Sequence, residues 1–387
     1  MRLALLHPGG GVTGAIPGGL GRDAARTASR RQTSVFGEGE EMTTEPLLMH
    51  LENNVYLEGE DALIIIDRRK LPRSEAEVYC TDHVEVARAI EQMMVQGAGD
   101  IAITAGYGLY LAAREMERQQ GDRNMAFLKH AADRLCATRP TGYHLAVLMG
   151  KLLERVRQHP DGRASEIILA ALKKSLARQR EISQATGRQA ETILETGDTV
   201  LTHCFAGAGL LYMFRYAREN GKEIKALCTE TRPYLQGARL TAWSLSEMGI
   251  ETTLITDNMA AWCMSRGMID KVFTAADRIA LDGAAANKVG TLQLAICARH
   301  FGIPFYILGY GGPDRRTLRG SDIPIEERDP REVLEFQGTP ITGERVRAYY
   351  PAFDVTPPEL ITAIVTREGI YREADNTTGG AREISPR

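Results

Sequence analysis

The sequence lacks the long apolar run that a membrane-spanning helix needs. A helix that crosses a bilayer takes about 20 consecutive apolar residues, whereas the most apolar segment, from Ile101 to Leu111, is interrupted by Gly106 and Gly108. The chain also lacks a large excess of charge of one sign, since its 387 residues carry a formal net charge of -3. We therefore expect a small-molecule partner, with no membrane partner and no general attraction to nucleic acid.

Paired cysteines are also absent. The six cysteines are Cys80, Cys136, Cys204, Cys228, Cys263 and Cys297. None forms a Cys-x-x-Cys pair, and none has the cysteine–histidine spacing that is typical of zinc sites. Because separate cysteines of this kind are typical of reduced thiols, the sequence predicts a cytoplasmic protein without a structural metal.

Residues 1–41 match no compact element. The segment GGGVTG at 9–14 formally fits the Gly-x-Gly-x-x-Gly pattern of dinucleotide-binding loops, but that mechanism requires a strand, a tight turn and a helix in succession. Pro8 interrupts the approach, and Pro17 with the two glycines after it disfavours the helix. The interpretation is a disordered extension over residues 1–41, followed by folded protein from Met42.

Residues 42–190 are predicted to form a mainly helical N-terminal domain that begins with a short β-sheet. From Val55 to Asp67 the chain alternates apolar and polar residues and ends in IIID, as a small pair of strands would. Beyond this segment, apolar residues recur at helical spacing. Examples are Val86, Ile90 and Met94; Leu145, Leu148 and Leu152; and Ile168, Leu172 and Leu176.

Residues 191–375 have a different pattern, in which short β-rich runs alternate with amphipathic helices. The runs are TVLTHC (199–204), EIKALCT (223–229), ETTLITD (251–257), KVFTAAD (271–277) and PFYILGY (304–310). Strands that alternate with helices of this length form parallel sheets whose two faces are covered by helices. The sequence therefore predicts an α/β protein with a Rossmann-like parallel-sheet C-terminal domain, followed by a flexible tail at 376–387.

Reactive side chains follow these five runs. In open α/β sheets, ligands bind beyond the carboxyl ends of the strands, so we expect the functional site there. The residues at those ends are His203-Cys204, Thr229 to Arg232, Asp257-Asn258, Asp277-Arg278 and Gly309 to Gly312.

Cys204 and Asp277 are the strongest candidates for chemistry at these ends. Cys204 precedes the start of a helix, whose backbone dipoles would lower the pKa of its thiol; the alternative is a buried, inert cysteine. Asp277 ends an apolar run, where burial would raise the pKa of its carboxyl and let it deliver a proton. The alternative for Asp277 is a cap or an ion pair with Arg278, and position alone leaves both alternatives open.

Residues that could bind an anion lie in other segments. Asn287-Lys288 follows the loop GAAA and is predicted to begin a helix, where an amide, an ammonium and free backbone N–H groups would bind a phosphate. Gln236 lies between Arg232 and Arg239 at helical spacing, and Arg139 precedes a proline. The segment QGAGDIAITAGYG (96–108) places four glycines near a helix start. The alternatives are solvated surface positions and ordinary turns.

Together these stretches resemble the methylthioribose-1-phosphate isomerase family. The resemblance covers about Asp67 to Ile370. It rests on the ordered motifs IIIDRRKLP, QGAGDIAITAGYG, TRPTGYH, LTHCFAGAG, ETRPYLQGARLTAW, TLITDNMAAWCM, AADRIALDGAAANKVGTLQLA, IPIEERDPREV and PAFDVTP. It implies a homodimer with a helical N-terminal and a Rossmann-like C-terminal domain, a role in methionine salvage, and no metal or organic cofactor.

Site residues follow from the same resemblance. It implies that Cys204 is the catalytic cysteine and that Asp277 is the catalytic acid. The positions that match substrate-contacting residues of the family are Gln96, Gly97, Ala98, Arg139, Gln236, Asn287 and Lys288. The implied reaction converts 5-methylthioribose 1-phosphate, or a close 5-substituted ribose 1-phosphate, to the ribulose 1-phosphate.

Departures from the family pattern leave the substrate open. Gln96 stands where the family usually has arginine, which removes a permanent charge and a bidentate phosphate donor. Further differences are Phe205 for asparagine, Gly99 for proline, Ala275-Ala276 for glycine-alanine, and GYGG at 309–312. The alternative substrates are therefore 5-deoxyribose 1-phosphate, ribose 1-phosphate and ribose 1,5-bisphosphate.

A non-catalytic protein is the alternative from another class. The same fold is similar to the regulatory subunits of the translation initiation factor 2B exchange factor, which need not keep the cysteine–aspartate pair. The presence of Cys204, Asp277 and Asn287-Lys288 together favours the enzyme.

Overall fold

A computed structural model describes residues 45–119, 124–139 and 143–372. These residues belong to one compact unit. The predicted extension at 1–41 and the predicted tail at 376–387 lie outside the described residues, and the division of the chain near residue 190 stays a prediction.

The described chain begins with a small antiparallel sheet. Its strands are β1 (Val55–Glu58), β2 (Ala62–Ile66) and β3 (Glu77–Cys80), in the order β1-β2-β3. β2 is central and consists of β-branched and apolar residues that are almost all buried, as a strand with partners on both sides requires. The predicted strand pair is present, and β3 adds a strand that the sequence analysis missed.

Five helices follow this sheet. They are α1 (His83–Glu91), α2 (Ala98–Arg118), α3 (Met125–Cys136), α4 (Tyr143–Gln158) and α5 (Ala164–Glu191). α1 begins where the Asp82 carboxylate accepts hydrogen bonds from the N–H groups of Val84 and Glu85, which satisfies donors that have no partner within the helix. α2 is the central helix, because it packs against the other four.

The glycines of α2 serve helix packing. A Cβ at Gly106 would lie 2.3 Å from Leu172 Cδ2 of α5, and a Cβ at Gly108 would lie 2.9 Å from Leu135 Cδ2 of α3. Glycine is otherwise unfavourable within a helix, so these two positions are glycine because neighbouring helices approach the backbone closely.

The predicted parallel sheet has seven strands in the order β15-β14-β10-β7-β4-β5-β6. The five predicted runs are its contiguous part: β4 (Thr199–Thr202), β5 (Lys225–Thr229), β6 (Thr252–Ile255), β7 (Lys271–Ala275) and β10 (Phe305–Tyr310). β14 (Ala363–Thr366) extends the sheet in parallel, and the edge strand β15 (Ile370–Tyr371) is antiparallel to β14. The α/β class and the parallel sheet are therefore confirmed.

Helices cover both faces of this sheet. Val200 and Leu201, successive residues of β4, belong to different apolar cores because successive side chains of a strand point to opposite faces. One core includes residues of α5, α6 (Ala208–Glu219) and α7 (Trp243–Glu247), and the other includes residues of α8 (Ala260–Ser265) and α9 (Thr291–Phe301).

One predicted helix start is wrong. Asn287 and Lys288 end a strand, β9 (Ala285–Lys288), which lies between β8 (Arg278–Ile279) and β13 (Phe353–Thr356) in an antiparallel sheet. The following helix, α9, begins at Thr291. The alanine-rich sequence favours a helix locally, but pairing with β13 of distant sequence overrides that propensity.

The remaining elements are short. They are α10 (Arg331–Leu334), β11 (Glu335–Phe336), β12 (Thr339–Pro340), a π-helical segment (Gly237–Ala242), and 3-10 turns at Leu47–Met49, Leu51–Asn53, Asp257–Met259, Gly320–Asp322 and Pro358–Leu360. No helix in the described ranges combines the length and apolarity that a membrane crossing requires. The homodimer and the cytoplasmic location stay predictions.

The packing of α2 gives the first testable prediction. Gly106→Ala should lower the free energy of unfolding by about 1–3 kcal/mol, because the new methyl group would overlap Leu172. Gly150→Ala in α4 is the control: nothing lies within 4 Å of its added Cβ, so it should raise stability by about 0.5–1 kcal/mol. Urea unfolding measures both, and equal effects would contradict the packing account.

Candidate active site

The turn at residues 203–207, which connects β4 to α6 and is called the Cys204 turn below, forms the centre of the site. Cys204 has a left-handed backbone with φ of 62°. Its N–H donates to Thr231 Oγ1 at 2.9 Å, and its carbonyl accepts from the Thr241 hydroxyl at 2.6 Å. The segment after β5 thus fixes the backbone of the residue that carries the candidate thiol.

His203, the first residue of this turn, is held in place by two hydrogen bonds of its imidazole. Its Nε2 lies 3.0 Å from the Val289 carbonyl and its Nδ1 lies 2.6 Å from the Thr229 hydroxyl. Burial lowers the pKa of His203, and a carbonyl can only accept, so Nε2 carries the proton and Nδ1 accepts from Thr229. The imidazole is thereby a neutral link between β4, β5 and the β9–α9 connection.

Asp277 lies just after β7 at the same edge of the sheet. Its N–H donates to the Ala286 carbonyl at 2.9 Å, which fixes the backbone. Burial raises the pKa of the Asp277 carboxyl, and the positive charges of Lys288 and Arg139 act in the opposite direction. Arg278 is not among the groups that shift the pKa of Asp277, and its charge lowers the pKa of Asp314.

Lys288 lies close to both candidate groups. Its side chain is buried, with Nζ 4.5 Å from the centre of the Phe353 ring and 5.8 Å from that of Tyr350. Burial lowers the pKa of the ammonium, while Cys204 and Asp277 raise it. Lys288 is also the largest charge acting on each of those residues, so the three side chains lie close enough together for each to influence the pKa of the others.

The expected low pKa of the thiol is wrong. Burial raises the pKa of Cys204 to about 12, although Lys288 and a backbone hydrogen bond lower it. The dipoles at the start of α6 contribute less than about 1 kcal/mol in most settings, whereas loss of water around a thiolate costs more. Cys204 is therefore a neutral thiol at physiological pH in the free protein.

Three of the positions that match substrate contacts have buried polar atoms without a partner in the described part of the chain. These are Gln96 Oε1, Gln236 Oε1 and Arg139 Nε. A buried polar atom left unpaired costs about 1–3 kcal/mol, so a native structure keeps such atoms where a ligand or ordered water completes them. They make a polar ligand the natural occupant of this region.

Arg139 reaches the site from the segment after α3. Its guanidinium pairs with Glu326 at 3.3 Å, donates to the Ile90 carbonyl at 3.3 Å and contacts Met93 Sδ. Burial lowers its pKa, yet an arginine stays charged under all physiological conditions. A partly buried, permanent cation at this place suits an anionic group of a ligand.

The segment Gln96–Gly97–Ala98 is fixed by Arg68. The buried Arg68 guanidinium donates to the Gln96 carbonyl at 2.6 Å and pairs with Asp100 at 2.7 Å. It also lies 5.7 Å from the centre of the Phe205 ring. Phe205, one of the departures from the family pattern, therefore packs towards Arg68 and connects the Cys204 turn to the segment that carries Gln96.

The predicted phosphate anchor at a helix start is not available. The first N–H groups of α9, at Gly290 and Leu292, already donate to the Asp354 carboxylate at 2.7 and 3.1 Å. Asn287 donates to the Thr291 hydroxyl at 2.9 Å. The charged group that this segment offers to an anion is the Lys288 ammonium.

Two residues that the sequence analysis did not assign contribute to the charge of the site. Glu326 pairs with Arg139 and influences the pKa of both Asp277 and Lys288. Arg328 pairs with Glu332 at 2.8 Å and also lowers the pKa of Lys288. Both lie in the motif IPIEERDPREV, which was quoted without a role, so the motif was the signal that could have located them.

Two other candidates are structural. Arg232 donates to the carbonyls of Val333 and Glu335, and Arg239 donates to those of Arg68 and Tyr234. No three histidine, cysteine or carboxylate side chains converge as a metal site would need within residues 45–119, 124–139 and 143–372.

Comparison with known proteins gives the family. The profile of the Initiation factor 2 subunit family matches residues 94–373. Methylthioribose-1-phosphate isomerase 1 of Pseudothermotoga lettingae is 43% identical over 324 residues, which cover 81% of this chain and 93% of that protein. The methylthioribose-1-phosphate isomerase of Thermosipho melanesiensis is 42% identical and covers 80% of this chain and 92% of its own length.

Solved structures agree with the fold and include two kinds of protein. The 5-methylthioribose 1-phosphate isomerase of Pyrococcus horikoshii superposes with a TM-score of 0.72 at 34% identity, covering 82% of this chain and 92% of that one. Subunit delta of the translation initiation factor eIF-2B from A. fulgidus gives 0.69 at 36% identity, covering 82% and 95%.

The high pKa of Cys204 can be tested by alkylation. Because the thiolate is the reactive form, the rate of iodoacetamide labelling at Cys204 should rise about tenfold per pH unit up to pH 10 without a plateau. Mass spectrometry of the peptide that carries Cys204 measures the rate. The pKa account is wrong if the rate levels off near pH 8, as it would for a thiol with a lowered pKa.

Proposed function

The chain belongs to the Initiation factor 2 subunit family, and we propose that it is an isomerase that converts 5-methylthioribose 1-phosphate, or a close 5-substituted ribose 1-phosphate, to the ribulose 1-phosphate. Relatives that are 41–43% identical and share most of their length with this chain are named for that substrate. The observation that carries the proposal is the mutual electrostatic influence of Cys204, Asp277 and Lys288 at one edge of the parallel sheet.

The chemistry begins at the ring oxygen. The anomeric oxygen of an aldose 1-phosphate is esterified, so the ring opens only if the ring oxygen receives a proton as its bond to C1 breaks. Asp277 is the group we assign to this step as a general acid. Burial raises its pKa, which keeps a larger fraction of the carboxyl protonated near neutral pH than in water.

The second step moves a hydrogen from C2 to C1. The C2 hydroxyl becomes the carbonyl of the ketose and releases its proton, which balances the proton that Asp277 supplied. We assign Cys204 to this step, as the side chain beside C1 and C2. Its raised pKa means that it enters as a neutral thiol, which suits a hydride shift from C2 to C1. On a route through an enolate, Cys204 would have to lose its own proton before it could take the proton from C2.

The phosphate has two candidate cations. Arg139 has a buried Nε without a partner among the described residues, and Lys288 forms no ion pair with any of them. Two cations can together offset the charge of a phosphate ester. Gln96 and Gln236 then have free amide oxygens that can accept hydrogen bonds from sugar hydroxyl groups.

Gln96 gives a reason to prefer some of the candidate substrates over others. An arginine there would add a third cation, whereas the buried Gln96 offers an acceptor. This favours a substrate with one phosphate over ribose 1,5-bisphosphate. It does not separate a methylthio group from the hydrogen or hydroxyl of the alternative substrates.

A regulatory subunit is the second candidate function. It is favoured by the similarity to the eIF-2B delta subunit of A. fulgidus, which is as high as that to the Pyrococcus isomerase. A protein of that kind would have no need of a thiol, a carboxyl and an ammonium that lie within range of one another's charge.

An activity assay tests the proposal. The purified protein should convert at least one of 5-methylthioribose 1-phosphate, 5-deoxyribose 1-phosphate and ribose 1-phosphate to a ketose 1-phosphate, detected by NMR, and ribose 1,5-bisphosphate should be the poorest substrate. Absence of turnover with all four, under conditions in which a characterised isomerase works, would favour the regulatory candidate.

Substitution of the catalytic pair gives a separate prediction. Cys204→Ser and Asp277→Asn should each lower kcat by about 10²- to 10⁴-fold, the usual worth of a positioned acid or base, while the melting temperature stays near that of the parent. The controls are Cys297→Ser in α9 and Asp161→Asn at an exposed position, which should keep full turnover. Near-normal turnover in either site variant would remove that residue from the mechanism.

A further inference from the structure

We propose that Tyr310 is a positioning residue that holds the Cys204 turn in its active geometry. Tyr310 ends β10, which lies two strands away from β4 in the sheet. The part of this proposal that concerns kinetics rests on the isomerase function proposed above, and the part that concerns the turn does not.

The Tyr310 hydroxyl bonds to the backbone on both sides of the start of α6. It donates to the Ala206 carbonyl and accepts from the Gly209 N–H at 3.1 Å. Gly209 lies in the first turn of α6, where N–H groups have no acceptor within the helix. A cap of this kind is normally local in sequence, but here the acceptor comes from a strand about a hundred residues later.

The turn and the tyrosine fit each other closely. A Cβ at Gly207 would lie 2.6 Å from the Tyr310 hydroxyl oxygen, and a Cβ at Gly209 would lie 2.8 Å from Tyr310 Cε1. The approach requires a local change in β10, where Tyr310 has φ of 48° and the register with β14 shifts after Leu308. Both glycines therefore make room for one ring.

The hydroxyl can fill both roles at once because it stays protonated. Burial raises the pKa of Tyr310 far above the physiological range. A neutral phenol donates one hydrogen bond and accepts another, which matches its two partners. Loss of the oxygen alone would leave the Ala206 carbonyl and the Gly209 N–H without these bonds.

These contacts complete the support of the thiol. Thr231 and Thr241 fix the backbone of Cys204 on the side of β5, and Tyr310 fixes Ala206 and Gly209 on the side of β10. With one end released, the Cys204 turn can shift relative to Asp277 and Lys288. Tyr310 belongs to the segment GYGG, one of the departures from the family pattern.

Tyr310→Phe tests the proposal, because it removes the oxygen and keeps the ring. A misplacement of about 1 Å can cost about 100-fold in rate, so kcat should fall roughly 10- to 100-fold while KM changes less than about threefold. Tyr306→Phe is the matched control: Tyr306 lies on the same strand, stacks on Phe273 at 4.8 Å, and its hydroxyl has no hydrogen bond in the described structure. It should keep the kcat of the parent.

Alkylation of Cys204 gives a readout that needs no substrate. At a fixed pH of 9, iodoacetamide should label Cys204 several times faster in Tyr310→Phe than in the parent or in Tyr306→Phe, since a released turn exposes the thiol. If the parent protein has no isomerase activity, the proposed function fails, and this rate still decides whether Tyr310 holds the turn.

Gly209→Ala provides an independent variant, because its added Cβ would displace the Tyr310 ring. It should repeat both effects, the lower kcat and the faster labelling. The proposal is overturned if Tyr310→Phe behaves like Tyr306→Phe in kcat and labelling, or if its loss of activity is matched by loss of folded protein in melting and circular dichroism.

Discussion

The left-handed backbone of Cys204 is the constraint on which the rest of the site depends. A non-glycine residue in that conformation costs about 1–3 kcal/mol unless its surroundings impose it. Here Thr231 and Thr241 bind the N–H and carbonyl of Cys204, and Thr231 is itself left-handed with φ of 63°. Asp257 accepts hydrogen bonds from the N–H groups of Thr231 and Arg232 at 2.7 Å. The segments that follow β4, β5 and β6 therefore together fix the backbone that carries the Cys204 thiol.

The second property of the site is a buried charge, that of Lys288. Lys288 is buried between aromatic rings with no carboxylate at ion-pair distance among the described residues. Burial of an isolated charge is unfavourable, and the structure offsets it only partly through nearby Asp277. The same burial raises the pKa values of Asp277 and Cys204. Burial therefore favours the protonated carboxyl of Asp277 and the neutral thiol of Cys204, whereas it lowers the pKa of Lys288, whose ammonium is favoured by the nearby Asp277 and would be favoured further by an anionic ligand.

Much of this architecture followed from the sequence, because it depends on local pattern. The five β-rich runs form adjacent strands of the parallel sheet, and Cys204 and Asp277 follow two of these strands at the same edge of the sheet. The wrong predictions concern features that depend on residues far apart in the sequence. Ala285–Lys288 forms a strand because it pairs with Phe353–Thr356, and the pKa of Cys204 rises because the surrounding folded chain desolvates the thiol. In both cases the residues responsible are distant in sequence, so no local pattern could have predicted the strand or the raised pKa.

The most direct test of this account is a crystal structure of the Asp277→Asn protein with 5-methylthioribose 1-phosphate or the best substrate of its class bound. The account predicts the ring oxygen about 3 Å from the residue 277 side chain, C1 and C2 facing the Cys204 thiol, and the phosphate against Arg139 and Lys288. A sugar phosphate bound away from Cys204, or with its ring oxygen turned from position 277, would contradict it.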